Sequence, residues 1–140
     1  MNFKHHKSIF IILIAAFILL YCSNCFADSR YTEISSGDYM TVYLDKESLL
    51  KDKEDNSFDC WVKYLYSSTG QKHYKMGNTS YELMRIIFFP DRTIIQLSYL
   101  AYDKNDKLIE DYTFAPDELK NEGIPPETAL EDVWKYLYKR

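Results

Sequence analysis

"FDCWVKYLYSSTG", residues 58–70, decides the fold, because it crowds Phe58, Trp61, Val62, Tyr64, Leu65 and Tyr66 into one short run ended by Ser67, Ser68 and Gly70. β-Branched and aromatic residues at that density, bounded by turn formers, predict a strand. Few of its positions are polar, so both of its faces are expected to be at least partly covered. A cysteine, Cys60, lies within it.

Upstream, Met40, Val42 and Leu44 alternate with Tyr39, Thr41 and Tyr43, which predicts a strand with one face inward and the two tyrosines outward. Asp45-Lys46-Glu47-Ser48 ends it, and the acid-rich residues 51–56 form a solvated connection. Downstream, residues 81–89, 93–102 and 108–114 predict three further strands. Pro90-Asp91-Arg92 and Asp103-Lys104-Asn105-Asp106 supply the turns between them. Residues 67–80, with Gly70, Gly77 and Asn78, are expected to form a long turn or flexible loop.

The period changes at the end of the chain. Leu130, Val133, Trp134, Leu137 and Tyr138 follow the i, i+3, i+4, i+7, i+8 spacing of one helical face. Pro125 and Pro126 precede this helix, and Thr128 and Glu131 have the spacing of a capping box. The fold expected is therefore α+β: an antiparallel sheet of about five to six strands with a C-terminal α-helix packed on one face.

The first 27 residues read as a signal peptide. Lys4 and Lys7 give a positive start, and residues 9–20 form an unbroken apolar run too short to span a bilayer. Cys25-Phe26-Ala27 places the cut after Ala27. A retained anchor, or a lipoprotein acylated at Cys22 or Cys25, remains open as an alternative. Cleavage leaves residues 28–140 as a single domain of 113 residues with no transmembrane anchor. Lys4 and Lys7 leave with the leader while all 21 acids stay, so 15 bases face 21 acids and nonspecific nucleic-acid binding is disfavoured.

Cys60 is then the sole cysteine, which excludes an intramolecular disulfide. It is expected to be a small buried hydrophobe, with an intermolecular bridge and a reactive thiol as the alternatives. His73, the one histidine left after export, lacks a placed Asn or Asp to orient it, so no Cys–His nucleophile is expected. Asp103, Asn105 and Asp106 resemble the start of a calcium loop but lack its glycine and glutamate, and a hairpin turn accounts for them. Zinc would find too few soft ligands. No enzymatic activity, cofactor or metal is expected. The candidate partner site is Lys72, His73, Tyr74 and Lys75, a basic and aromatic island in an acidic domain, suited to an acidic partner or a sulfated glycan; a merely solvated loop is the competing reading.

"TVYLDKESL", "CWVKYLYS", "LSYLAYDKNDKLI" and "IPPETALEDVWKYLYK", in that order behind a signal peptide, resemble the surface-adhesin protein E family of exported bacterial domains. The resemblance implies a small antiparallel sheet backed by a C-terminal helix. It also implies export to the periplasm, cell surface or medium and display in the cell envelope, where some members act as adhesins towards host matrix proteins. Many family members carry a cysteine near the middle of the chain paired with one in the terminal helix, a tie between sheet and helix; the corresponding stretches here, "IIFFPDR" and "KYLYKR", contain none. The helix is accordingly expected to be docked by packing alone. A domain that packs onto another protein of the bacterial envelope is the alternative function, and a homodimer is left open.

Overall fold

A computed structural model describes residues 30–139; the leader, its cleavage site, Cys22 and Cys25 lie outside the described residues. Six strands, β1 (Tyr31–Ser36), β2 (Met40–Asp45), β4 (Phe58–Tyr66), β5 (Tyr81–Phe88), β6 (Thr93–Tyr102) and β7 (Leu108–Thr113), form one open sheet in the order β1-β2-β4-β5-β6-β7. Every neighbouring pair is antiparallel. Two-residue strands β3 (Leu50–Lys51) and β8 (Glu122–Gly123) extend β4 and β6. With a short C-terminal helix, α2 (Ala129–Tyr138), the architecture is the expected α+β fold.

The alternation in β4 assigns the faces. Cys60, Val62 and Tyr64 are buried, and across the ladder they continue into Val42 and Leu44 on β2 and Ile86 and Phe88 on β5. A bulge between Arg85 and Ile86, where β6 spends an extra residue at Leu97, resets the register so that Ile94 joins the same face. Val133 and Trp134 of α2 close over this layer. Each fully buried aliphatic or aromatic side chain contributes about 1.5–3 kcal/mol, which makes this single layer the main source of stability.

Packing is not the whole of the attachment, which corrects the expectation drawn from the missing cysteine pair. The Trp134 indole Nε1 donates to the Phe89 carbonyl at 2.9 Å, the Tyr138 hydroxyl donates to the Phe88 carbonyl at 2.8 Å, and Arg92 Nη2 pairs with Glu131 at 2.6 Å. Hydrogen bonds and an ion pair thus join α2 to the end of β5 and the turn that follows it. The helix starts at Thr128, whose hydroxyl accepts from Glu131 N, while the Glu131 carboxylate reaches back to Glu127 N at 2.9 Å.

Residues 67–80 are not a flexible loop throughout. Ser68–His73 form a helix, α1, capped by Ser67, whose hydroxyl accepts from Gly70 N. The same hydroxyl lies 2.7 Å from the Asp38 carbonyl and the Ser67 amide donates to the Tyr39 carbonyl at 2.9 Å, which pins α1 to the β1–β2 turn. Gly70 permits this approach, since a Cβ there would overlap the Tyr39 carbonyl oxygen. The glycine that reads as a sign of flexibility is a packing requirement.

Candidate functional site

α1 separates the four candidate residues. The His73 ring stacks on Tyr39 at 4.3 Å with the planes 8° apart, and Tyr74 meets Tyr39, Tyr66 and His73 edge-on. Tyr39 is therefore spent on holding α1, whereas Tyr43 stays on the sheet. Lys72 and exposed Lys75 instead line a separate surface pocket with Ser68, Gln71 and Gly77. Lys75 adopts a left-handed φ of 56°, which turns the chain out of α1.

Between α1 and the start of α2, on the helix-covered face of the sheet, lies a cavity of about 600 Å³. Tyr64, Tyr66 and Tyr74 contribute rings to it, Met40, Met76 and Met84 contribute thioethers, and Glu82 reaches its floor. Glu82 is 5 % exposed, and its two carboxylate oxygens accept separately from the Tyr66 hydroxyl at 2.7 Å and the Tyr99 hydroxyl at 3.0 Å. Burial first, then the Glu82 charge, raises the Tyr64 phenol, and burial followed by the hydrogen bond to Glu82 raises those of Tyr66 and Tyr99. All three phenols are held protonated around one carboxylate.

Other candidate chemistries have plain structural explanations. Cys60 is wholly buried, and burial, reinforced by the charges of Asp59 and Asp45, pushes its thiol up to about 12. The Asp103 carboxylate accepts from the amides of Asn105 and Lys107, and Asp106 takes a φ of 60°, the geometry of a hairpin turn. Among the described residues, no three His, Cys, Asp or Glu side chains form a group able to hold a metal ion, and no helix is long and apolar enough to cross a membrane.

The second face of the sheet mixes charged residues with aligned apolar ones, where an antiparallel sheet normally turns polar residues to water. Leu83 lies beside Leu100, and Ile87 beside Ile95, with Trp61 and Arg85 paired in the row between them. All six side chains are half-buried. Arg85 pairs with Asp59 through two hydrogen bonds of 3.0 and 2.7 Å. Lys63 lies 4.5 Å from the Tyr81 ring centre, and Tyr81 stacks on Tyr102.

No family model, curated protein or solved structure matches this chain. Two features escaped the sequence reading. Glu82 had a signal: in "YELMRIIFF" it falls on the i, i+2 series with Met84, Ile86 and Phe88, a lone acid on the inward side. The second face had one too, in Leu83 and Ile87 interleaved with that series, but only the sheet topology shows that its neighbours align.

Proposed function

We propose that this chain is a non-enzymatic, exported binding domain of the bacterial cell envelope, adhesin-like, whose partner is a host or matrix protein. The aligned apolar pairs on the second face of the sheet carry this reading. Protein interfaces are enriched in Trp, Tyr and Arg around aliphatic centres, and Trp61, Arg85 and Tyr81 surround Leu83, Leu100, Ile87 and Ile95 here. Aligned apolar side chains on a strand face mark interaction sites more often than scattered single ones do. The ordered stretches that resemble the surface-adhesin protein E family support the same function.

The test replaces the centre of that face. Leu83→Glu with Leu100→Lys puts opposite charges on adjacent strands, a pairing that antiparallel sheets accept. The double variant is expected to keep its melting temperature within a few degrees and to lose capture by immobilised matrix proteins. Equal capture by both proteins removes this face from the contact. Retrieval of a partner from envelope extract, with no matrix capture by the parent protein, moves the function to a partner inside the bacterial envelope.

A further inference from the structure

We propose that the cavity between α1 and α2 is a binding site for a small organic cation, an alkylammonium ion seated with its charge toward Glu82 and its apolar part against the methionines. The site lies on the helix-covered face and is independent of the protein-binding surface proposed above.

Charge comes first. Glu82 is 5 % exposed yet joins no ion pair among the described residues; its partners are the Tyr66 and Tyr99 hydroxyls. Using both oxygens as acceptors suits the ionised carboxylate, which has no proton to donate. A buried negative charge held by two neutral donors is only partly compensated, and a cation entering the cavity completes it.

The walls select the kind of cation. A hydrated metal ion needs several oxygen ligands, whereas Tyr64, Tyr66 and Tyr74 offer ring surfaces, which attract ammonium groups through the π-quadrupole. Tyr66 and Tyr74 stand edge to face at 5.9 Å, so their rings are not parallel and enclose a corner rather than a slot. Met40, Met76 and Met84 supply flexible, polarisable thioethers that adapt to an alkyl chain, and Leu130 at the start of α2 adds to the apolar wall. A volume of about 600 Å³ lies within the range of small-molecule sites, most of which combine an apolar lining with a few convergent polar groups.

The experiment compares three probes of equal chain length, hexyltrimethylammonium, hexanol and hexanoate, by calorimetry and by chemical-shift changes at the Met40, Met76 and Met84 methyl groups. The ammonium is expected to bind and shift all three methyls, hexanol to bind at least tenfold more weakly, and hexanoate not to bind. Glu82→Gln keeps an acceptor for one tyrosine and removes the charge; it is expected to weaken the ammonium at least tenfold and leave hexanol unchanged. Equal binding of ammonium and hexanol to the parent protein overturns the proposal, as does the absence of ammonium binding at millimolar concentration. These two outcomes need no variant, so the proposal stays falsifiable even where Glu82→Gln disturbs the fold. A free ion and a lipid headgroup share this chemistry. Competition of free choline against the hexyl probe, set beside flotation with phosphatidylcholine vesicles, distinguishes the two sources; if neither competes nor floats, choline-type ammonium ions are excluded as the natural ligand and simpler alkylamines remain.

Discussion

The Tyr138 hydroxyl at the last turn of α2 donates to the Phe88 carbonyl at the end of β5, 50 residues earlier in the chain. The same proton is shared with the Asn56 carbonyl at 2.9 Å, so one phenol ties the helix, the central sheet and the connection before β4. Tyr138→Phe keeps the ring against Phe58 and removes this tie. The expected loss is about 1 kcal/mol, read from the urea midpoint, the ordinary worth of a hydrogen bond to a part-buried carbonyl. Trp134→Ala removes both the bond to Phe89 and most of a buried ring, and is expected to cost about 3–5 kcal/mol. An unchanged midpoint in Trp134→Ala would mean that α2 is detached in solution.

Gly70→Ala separates a docked α1 from a loose segment. In a free helix or loop, alanine is neutral or favourable, because glycine has the weaker helix propensity by about 1 kcal/mol. Against the Tyr39 carbonyl it has no room. The variant is expected to lose about 1–3 kcal/mol and to speed amide exchange at Gln71 and Tyr74, whose amides donate to the Ser67 and Gly70 carbonyls. A gain in stability would show that α1 does not rest on the β1–β2 turn.

The elements read correctly from sequence are those whose signal is local. The run from Phe58 and the apolar stripe of α2 each contain their own period, and burial follows it. β1 was missed because Ile34 is its only aliphatic residue and sits at the bulge between Glu33 and Ser35, which breaks the alternation. α1 was missed because six residues carry little period and Gly70 counts as a breaker until its neighbour Tyr39 is known. The helix-to-sheet hydrogen bonds were out of reach for another reason. Carbonyl acceptors at Phe88 and Phe89 carry no side-chain signature, so only the tertiary approach of α2 discloses them.

Cys60 gives a pH prediction with a definite sign. Its thiol rises from 9.0 to about 12 on folding, chiefly by burial, so the folded state holds its proton where the unfolded chain has lost it. That contribution is fully present below pH 9.0 and disappears as the pH climbs toward 12. Tyr138 acts in the same sense, rising from 10.0 to about 12, again chiefly by burial. Stability is therefore expected to fall steeply above pH 9, and Cys60→Ser to flatten the first part of that fall at a cost of about 1–2 kcal/mol near neutrality. Native Cys60 is expected to resist thiol reagents at pH 8 and to react only at the rate of unfolding. Rapid labelling of the folded protein would contradict its burial.

Glu131 is one of the carboxyls that act on the acid side, with Asp55, Asp103 and Glu118 lowered in the same sense. The Glu131 carboxyl is held below the ordinary 4.5 by the hydrogen bond from Lys135, then by the Glu127 amide, with the Lys135 and Arg92 charges adding to the effect. A depressed carboxyl stabilises the fold above its unfolded value, and that contribution is lost as the pH falls through the folded one. The parent protein is expected to lose melting temperature below pH 4.5 more steeply than Glu131→Gln, which cannot titrate there. Parallel profiles would show that the cluster at the start of α2 adds nothing to the pH dependence.

Lys72 and Lys75 are the candidate residues whose functional role can be tested without disturbing the fold. Neither joins an ion pair among the described residues, both are exposed, and their removal leaves the His73–Tyr39 stack and the Tyr74 edge contacts in place. His73 and Tyr74 are different, because replacing them loosens α1 and confounds binding with stability. In a domain with an excess of acids, two lysines on one short segment make a local positive field that extends about 10 Å at 0.1 M salt. Steering acts over that distance, so the pair need not touch the partner to speed its approach. The double variant Lys72→Ala, Lys75→Ala is expected to melt with the parent. Its association with an acidic immobilised matrix protein should slow several-fold at low salt, with dissociation unchanged and the difference gone at 0.3 M salt. A salt-independent loss would instead place the lysines inside the contact. Equal association at both salts would remove this segment from the binding mechanism and leave the second face of the sheet, with Trp61, Leu83 and Leu100, as the whole of the surface.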